Sequence, residues 1–351
     1  MSLLRFAQSD DNLCPHHLID HSGSFLMRHM NFTWRTVLTL GLAAGACFLV
    51  DNTAMAADGP KTAYLDAAAA GPDFAIQGEY AADGWGLQVI ADGDSKFRGV
   101  LYQGGLPGAG FEGKTDKFKL NGATKDGKTS LAGSDYEVVI EGTKAVVRHS
   151  AKSVELNKVQ RTSPTLGQKP PAGAVVLFDG TNVDQWDKAS MTEDKLLNVG
   201  TRTKEKFEDY TLHIEFRSPY MPYARGQARG NSGLYLGDQY ETQILDSFGL
   251  EGADNECGGI YINSKPRVNM CLPPLSWQTY DVDFTCAKFD EAGNVKSPAK
   301  TTVRHNGVVI HENLELKPTP GGGQKDQKPG AIFLQNHGDK VHFQNIWILK
   351  K

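Results

Sequence analysis

Residues 210–217 read Tyr-Thr-Leu-His-Ile-Glu-Phe-Arg, a strict alternation. Tyr210, Leu212, Ile214 and Phe216 fall on one side of an extended chain, and Thr211, His213, Glu215 and Arg217 on the other. A period of two marks a strand with one buried face. The pattern returns in Tyr280, Val282 and Phe284 against Asp281 and Asp283, and further strands are expected over 331–335 and 341–348. Arg304-His305-Asn306-Gly307-Val308-Val309 sets Asn-Gly, the strongest short hairpin signal, between two more. Helical periodicity is nearly absent, and 38 Gly and 16 Pro supply tight turns. The expected fold class is all-β, a two-sheet sandwich or jelly roll.

The 351 residues divide readily. Val37 to Val50 is one apolar run, too short for the roughly 20 residues that span a bilayer. Arg35 precedes it and Ala54-Met55-Ala56 follows, so Met30–Ala56 reads as a secretory signal peptide and 1–29 as an over-extended start. Export to the periplasm or the extracellular space follows, with no membrane span after cleavage; Cys47 leaves a lipid anchor as a weaker alternative. Residues 60–162 are expected to form a smaller β-rich N-terminal module, with strands over 85–90, 97–102, 136–140 and 145–149. Residues 163–173 are a linker by composition, and 174–351 form the larger domain. A net charge of −4 argues against a nucleic-acid partner.

Export leaves Cys257, Cys271 and Cys286. In an oxidising compartment Cys257 and Cys271 are candidates for a disulfide, worth roughly 3 kcal/mol on the loop-entropy argument.

The residues with chemical potential lie in Asn231-Ser232-Gly233-Leu234-Tyr235 and Tyr240-Glu241-Thr242-Gln243-Ile244-Leu245-Asp246. Glu241 and Gln243 share a strand face; Asp246 joins them only if a bulge absorbs one residue. The resulting Glu-x-Gln-x-x-Asp is similar to the Glu-x-Asp-x-x-Glu strand of laminarinase-type glycosidases, but an amide replaces the middle acid. Glu215 and Arg217 are expected to pair on a polar face, and His337 ends a strand at a glycine turn. His305 is expected to be exposed, and Trp186 and Trp277 are expected in the core or stacked on sugar rings. No Gly-x-Ser-x-Gly, His-Glu-x-x-His or dinucleotide fingerprint is present.

Taken together, Val176–Trp186, Phe207–Tyr210 with Glu215-Phe216-Arg217, Asn231–Tyr235, Tyr240–Asp246, Pro273–Asp281, Leu334–Gly338 and Phe343–Ile348 resemble the 3-keto-disaccharide hydrolase domain family, also described as 3-keto-glucoside 1,2-lyase/3-keto-2-hydroxy-glucal hydratase. The resemblance spans 174–351; Asn336 stands where the family usually shows Asp. It implies a concanavalin-like jelly roll and an exported enzyme acting on 3-keto-glycosides by removal of the C2 proton, elimination at C1 and hydration. On that resemblance Glu241 or Asp246 is the base, His337 assists proton transfer, and Arg217 or a divalent cation (Ca²⁺ or Mn²⁺) stabilises the oxyanion. Glu215, Arg217, Asn231 and Gln243 would bind the saccharide. The alternatives are a non-catalytic carbohydrate-binding protein and a conventional retaining endo-glycanase.

Overall fold

The computed structural model describes residues 62–319 and 329–351. The expected signal peptide and Cys47 lie outside the described residues. Nearly all regular structure in the described residues is strand; Pro72–Ile76 is a short α-turn and Gly226–Ala228 a 3-10 turn.

The N-terminal strands run Gly78–Ala82, Trp85–Gly93, Lys96–Gln103, Lys117–Lys125, Lys128–Gly133, Tyr136–Glu141, Lys144–His149 and Lys152–Val159. Each pairs antiparallel with its neighbour, and the first pairs with the last (Tyr80 opposite Lys158), closing an eight-stranded barrel. Two-residue turns with positive φ at Asp94-Ser95, Asp126-Gly127 and Ser134-Asp135 match the twist of the strands they join. Leu87, Val89, Phe97, Leu101, Leu120, Leu131, Val138, Val147 and Leu156 fill the interior. Eight strands leave room for little more than their own side chains, so this barrel is a packed core rather than a lumen.

The larger domain is an all-β jelly-roll sandwich. One sheet has the order Val175–Phe178, His342–Lys350, Tyr210–Arg217, Gln278–Thr285, Lys300–His305, Val308–Glu315. The facing sheet runs Trp186–Asp187, Thr201–Thr203, Phe333–Leu334, Ser232–Leu236, Tyr240–Ile244. Leu212, Ile214, Phe216, Tyr280, Val282 and Phe284 meet Leu234, Leu236 and Ile244 in the core, as the alternation requires. The expected hairpin turns at Asn306 (φ 50°) and Gly307 (φ 79°).

Residues 163–168 lie on the outer face of the first sheet. Thr165 Oγ1 donates to Asp281 Oδ2 (2.7 Å), the Gly167 amide donates to Glu215 Oε1 (2.5 Å), and the Gln168 carbonyl accepts from Trp347 Nε1 (3.1 Å). Beneath this strap His213 is buried between two carboxylates, Nδ1 to Asp281 Oδ1 at 2.6 Å and Nε2 to Glu215 Oε1 at 3.3 Å. Barrel and sandwich also meet through Tyr220, which exchanges two backbone hydrogen bonds with Tyr64 (2.9 and 3.0 Å) and packs its ring edge-on against Phe74.

Candidate active site

Strands Ser232–Leu236 and Tyr240–Ile244 pair with Tyr235 opposite Glu241 and Gly233 opposite Gln243. Leu234, Leu236, Tyr240 and Ile244 point into the core. The period of two therefore turns Gly233, Tyr235, Glu241 and Gln243 to the outer face.

Glu241 is the chemically distinctive group there. It is 4% exposed, and its Oε2 accepts a hydrogen bond from the Tyr235 hydroxyl at 2.8 Å. The other oxygen lies over Gly233, where a Cβ would come within 2.4 Å of it. Burial pushes the Glu241 carboxyl up to about 7, and the Tyr235 hydrogen bond only partly opposes this. Burial, then the neighbouring carboxylate, pushes the Tyr235 phenol far up, so it serves as a neutral donor. Gln335 Nε2 donates in turn to the Tyr235 oxygen (3.2 Å), and Phe333 packs on the tyrosine ring.

Gln243 and Asn231 complete the cluster. Both are buried, and both donate to Gln227 Oε1, Asn231 Nδ2 at 3.1 Å and Gln243 Nε2 at 3.2 Å. The Asn231 amide donates to Asp339 Oδ2 (2.7 Å), which ties the 336–339 turn to the rim. His337 sits exposed in that turn.

Three sequence-derived candidates therefore come together: Glu241, Gln243 and Asn231. Asp246 does not join them. The strand ends at Ile244, Leu245 turns into the core with it, and the Asp246 carboxylate binds Arg229 Nε at 2.6 Å in a buried ion pair. No bulge returns it to the Glu241 face. Glu215 and Arg217 belong to the other sheet and are not paired with each other. Glu215 is consumed by Gly167, His213, Gln344 and Asn345, while Arg217 stacks over Trp277 at 5.0 Å. His305 is not exposed but fully buried, bonded through Nε2 to Gln278 Oε1 (3.0 Å), and burial holds it neutral by lowering it to about 3. Trp186 is a core residue whose indole donates to the Leu177 carbonyl. Cys257 and Cys271 are buried free thiols in contact with each other; Cys257 is engaged by the Tyr280 hydroxyl (3.2 Å) and Cys271 by the Leu245 carbonyl (3.6 Å).

Tyr235, Gln335 and Gln227 were not singled out from the sequence. For Tyr235 the signal was available, because a tight turn at Gly237-Asp238 sets it opposite Glu241. For Gln227, in the 3-10 turn Gly226–Ala228, there was none.

Among the described residues no three His, Cys, Asp or Glu side chains gather as a metal site would require. Beside Glu241 a hard cation would find one carboxylate and neutral amides, which falls short of the usual charged oxygen set. Among the same residues no helix is long and apolar enough to cross a membrane.

Residues 173–349 match the family described as the 3-keto-alpha-glucoside-1,2-lyase-like domain. A crystal structure from Parabacteroides distasonis ATCC 8503, named a candidate glycosyl hydrolase, is 32% identical, covering 52% of this chain and 85% of that one, with a TM-score of 0.47. Two others from that organism, named the same way, are 18% and 20% identical; they cover 51% of this chain and 94% and 99% of their own, each with a TM-score of 0.37. No curated protein matches the chain. On the family match, the chain belongs to the 3-keto-alpha-glucoside-1,2-lyase-like domain family and is a carbohydrate-active enzyme.

Proposed function

We propose that the Glu241 face cleaves 3-keto-glycosides by elimination and hydration in an exported protein. The supporting observation is the buried Glu241 carboxyl on this face, held by the Tyr235 hydroxyl and pushed up to about 7 by burial. A ketone at C3 acidifies the proton on C2. The Glu241 carboxylate takes that proton, the electron pair moves into the enolate, and the C1–O bond breaks with the leaving group taking up a proton. Water then adds at C1 while Glu241 returns its proton to C2, so the net change is hydrolysis. A group near half ionisation at neutral pH suits both directions of transfer. Tyr235, held neutral, keeps the carboxylate aimed through Oε2. His337, at the rim, passes protons between the leaving group and solvent.

A conventional retaining glycanase needs a second carboxylate about 5–5.5 Å from the first. The sequence candidate for that role, Asp246, is bound to Arg229, which favours the one-carboxylate chemistry. The test uses 4-nitrophenyl glucosides of both anomers, native and oxidised at C3. Nitrophenol release from an oxidised glucoside alone is expected. Equal release from a native one overturns the proposal.

A further inference from the structure

Gln227 is exposed, yet it organises two side chains that are not. Its Nε2 donates to the Asn255 carbonyl at 2.8 Å, so its Oε1 is the end that meets Asn231 and Gln243. Two backbone carbonyls fix those amides as well. Asn231 Nδ2 also donates to the Gln227 carbonyl (2.8 Å), and Gln243 Nε2 to the Asn255 carbonyl (3.3 Å). Only N–H can face a carbonyl oxygen, so the orientation of all three amides follows. The consequence is that, among the described residues, Asn231 Oδ1 and Gln243 Oε1 are both directed away from the hub, buried and without a hydrogen-bond partner. Buried acceptors in native proteins are nearly always satisfied, and a pair left open beside a titrating carboxyl calls for donors from outside. Gln227 and Asn255, which hold the two amides by their N–H ends, are both exposed.

We infer that Gln227 is a positioning residue for saccharide recognition: by binding both amide N–H groups through one oxygen, it presents Asn231 Oδ1 and Gln243 Oε1 as acceptors for two neighbouring sugar hydroxyls. This rests on the reading of the Glu241 face as a saccharide site, but not on the elimination chemistry.

The test compares Gln227→Met, close in length but lacking the acceptor, with Gln227→Glu, which keeps the acceptor while giving up the N–H that meets the Asn255 carbonyl. With a 4-nitrophenyl 3-keto-glucoside, Gln227→Met is expected to raise KM about tenfold with kcat within about twofold, and Gln227→Glu to restore KM to within about threefold. Saturation-transfer NMR with native maltose reads recognition without chemistry. Binding lost in Met and kept in Glu sustains the inference even if no glucoside turns over. Equal binding by all three proteins, no binding by the wild-type chain, or binding abolished by chelation of Ca²⁺ or Mn²⁺ overturns it.

Discussion

The hydroxyl of Tyr235 donates to Oε2 of Glu241 across the strand pair, at 2.8 Å, with both side chains buried. It opposes the burial that lifts the carboxyl. Tyr235→Phe removes that opposition, so the carboxyl should move further up. The acid limb of kcat/KM is expected to shift to higher pH; a limb that stays put or moves down disconnects Glu241 from the rate.

Glu241 itself should weaken the fold as it ionises. Its folded value is above its unfolded one, so the folded state holds the proton more tightly and stability falls as pH rises from about 4.5 to about 7. The loss is of order 3 kcal/mol at most. Glu241→Gln keeps the volume without the charge. It is expected to abolish turnover and to be more stable than the wild type at pH 8 but not at pH 4, which thermal melts at the two pH values will measure.

Gly233 is required by the carboxylate rather than by its own backbone. A methyl group there would come within 2.4 Å of Glu241 Oε1. Gly233→Ala should displace the carboxylate and lower kcat at least tenfold while the protein still folds, as circular dichroism would confirm. Unchanged kcat would place the reacting oxygen elsewhere.

Arg229 and Asp246 make the opposite case. Removing one member of a buried ion pair leaves a charge uncompensated and typically costs about 3–5 kcal/mol. Asp246→Ala is therefore expected to lower the denaturation midpoint sharply, with kcat per folded molecule within a few-fold of wild type. Loss of turnover in a fully folded Asp246→Ala protein would reinstate Asp246 as the base.

The strap over the first sheet should respond to alkali. Burial alone would lower His213, but hydrogen bonds and charge from Asp281 and Glu215 outweigh it and raise it. The stabilisation is therefore complete below the ordinary histidine value and fades as pH rises through the raised one. Glu215, though buried, is lowered by its bonds to His213, Asn345, Gln344 and Gly167, so its share is lost in acid, as pH falls through the lowered value. Between pH 6 and 9 the wild-type melting temperature should fall relative to that of His213→Gln; parallel curves would show that the imidazole carries no charge there.

The parts of this structure legible in the sequence are those governed by near neighbours along the chain. Alternation over Tyr210–Arg217 placed its apolar members in the core, and the same rule put Glu241 and Gln243 on one face. The Asn306-Gly307 hairpin needed only two residues to specify it. What escaped depends on partners far apart in sequence. Asp246 is claimed by Arg229, 17 positions earlier. Glu215 is claimed by Gly167, 48 positions away, and by Gln344 and Asn345, some 130 away. Alternation says which way a side chain points, not who waits for it. Barrel closure was out of reach for the same reason, since it joins the first and last strands of the module.

Tyr220 leaves the sandwich and ends among the aromatic side chains beside the barrel, fully enclosed by Tyr64, Phe74 and their neighbours. A recombinant fragment cut to the sugar-processing portion alone would bare that phenol and strand the amide and carbonyl that Tyr64 satisfies. Such a trimmed protein should turn sticky and hard to keep in solution, whereas carrying the barrel along keeps the greasy shoulder hidden.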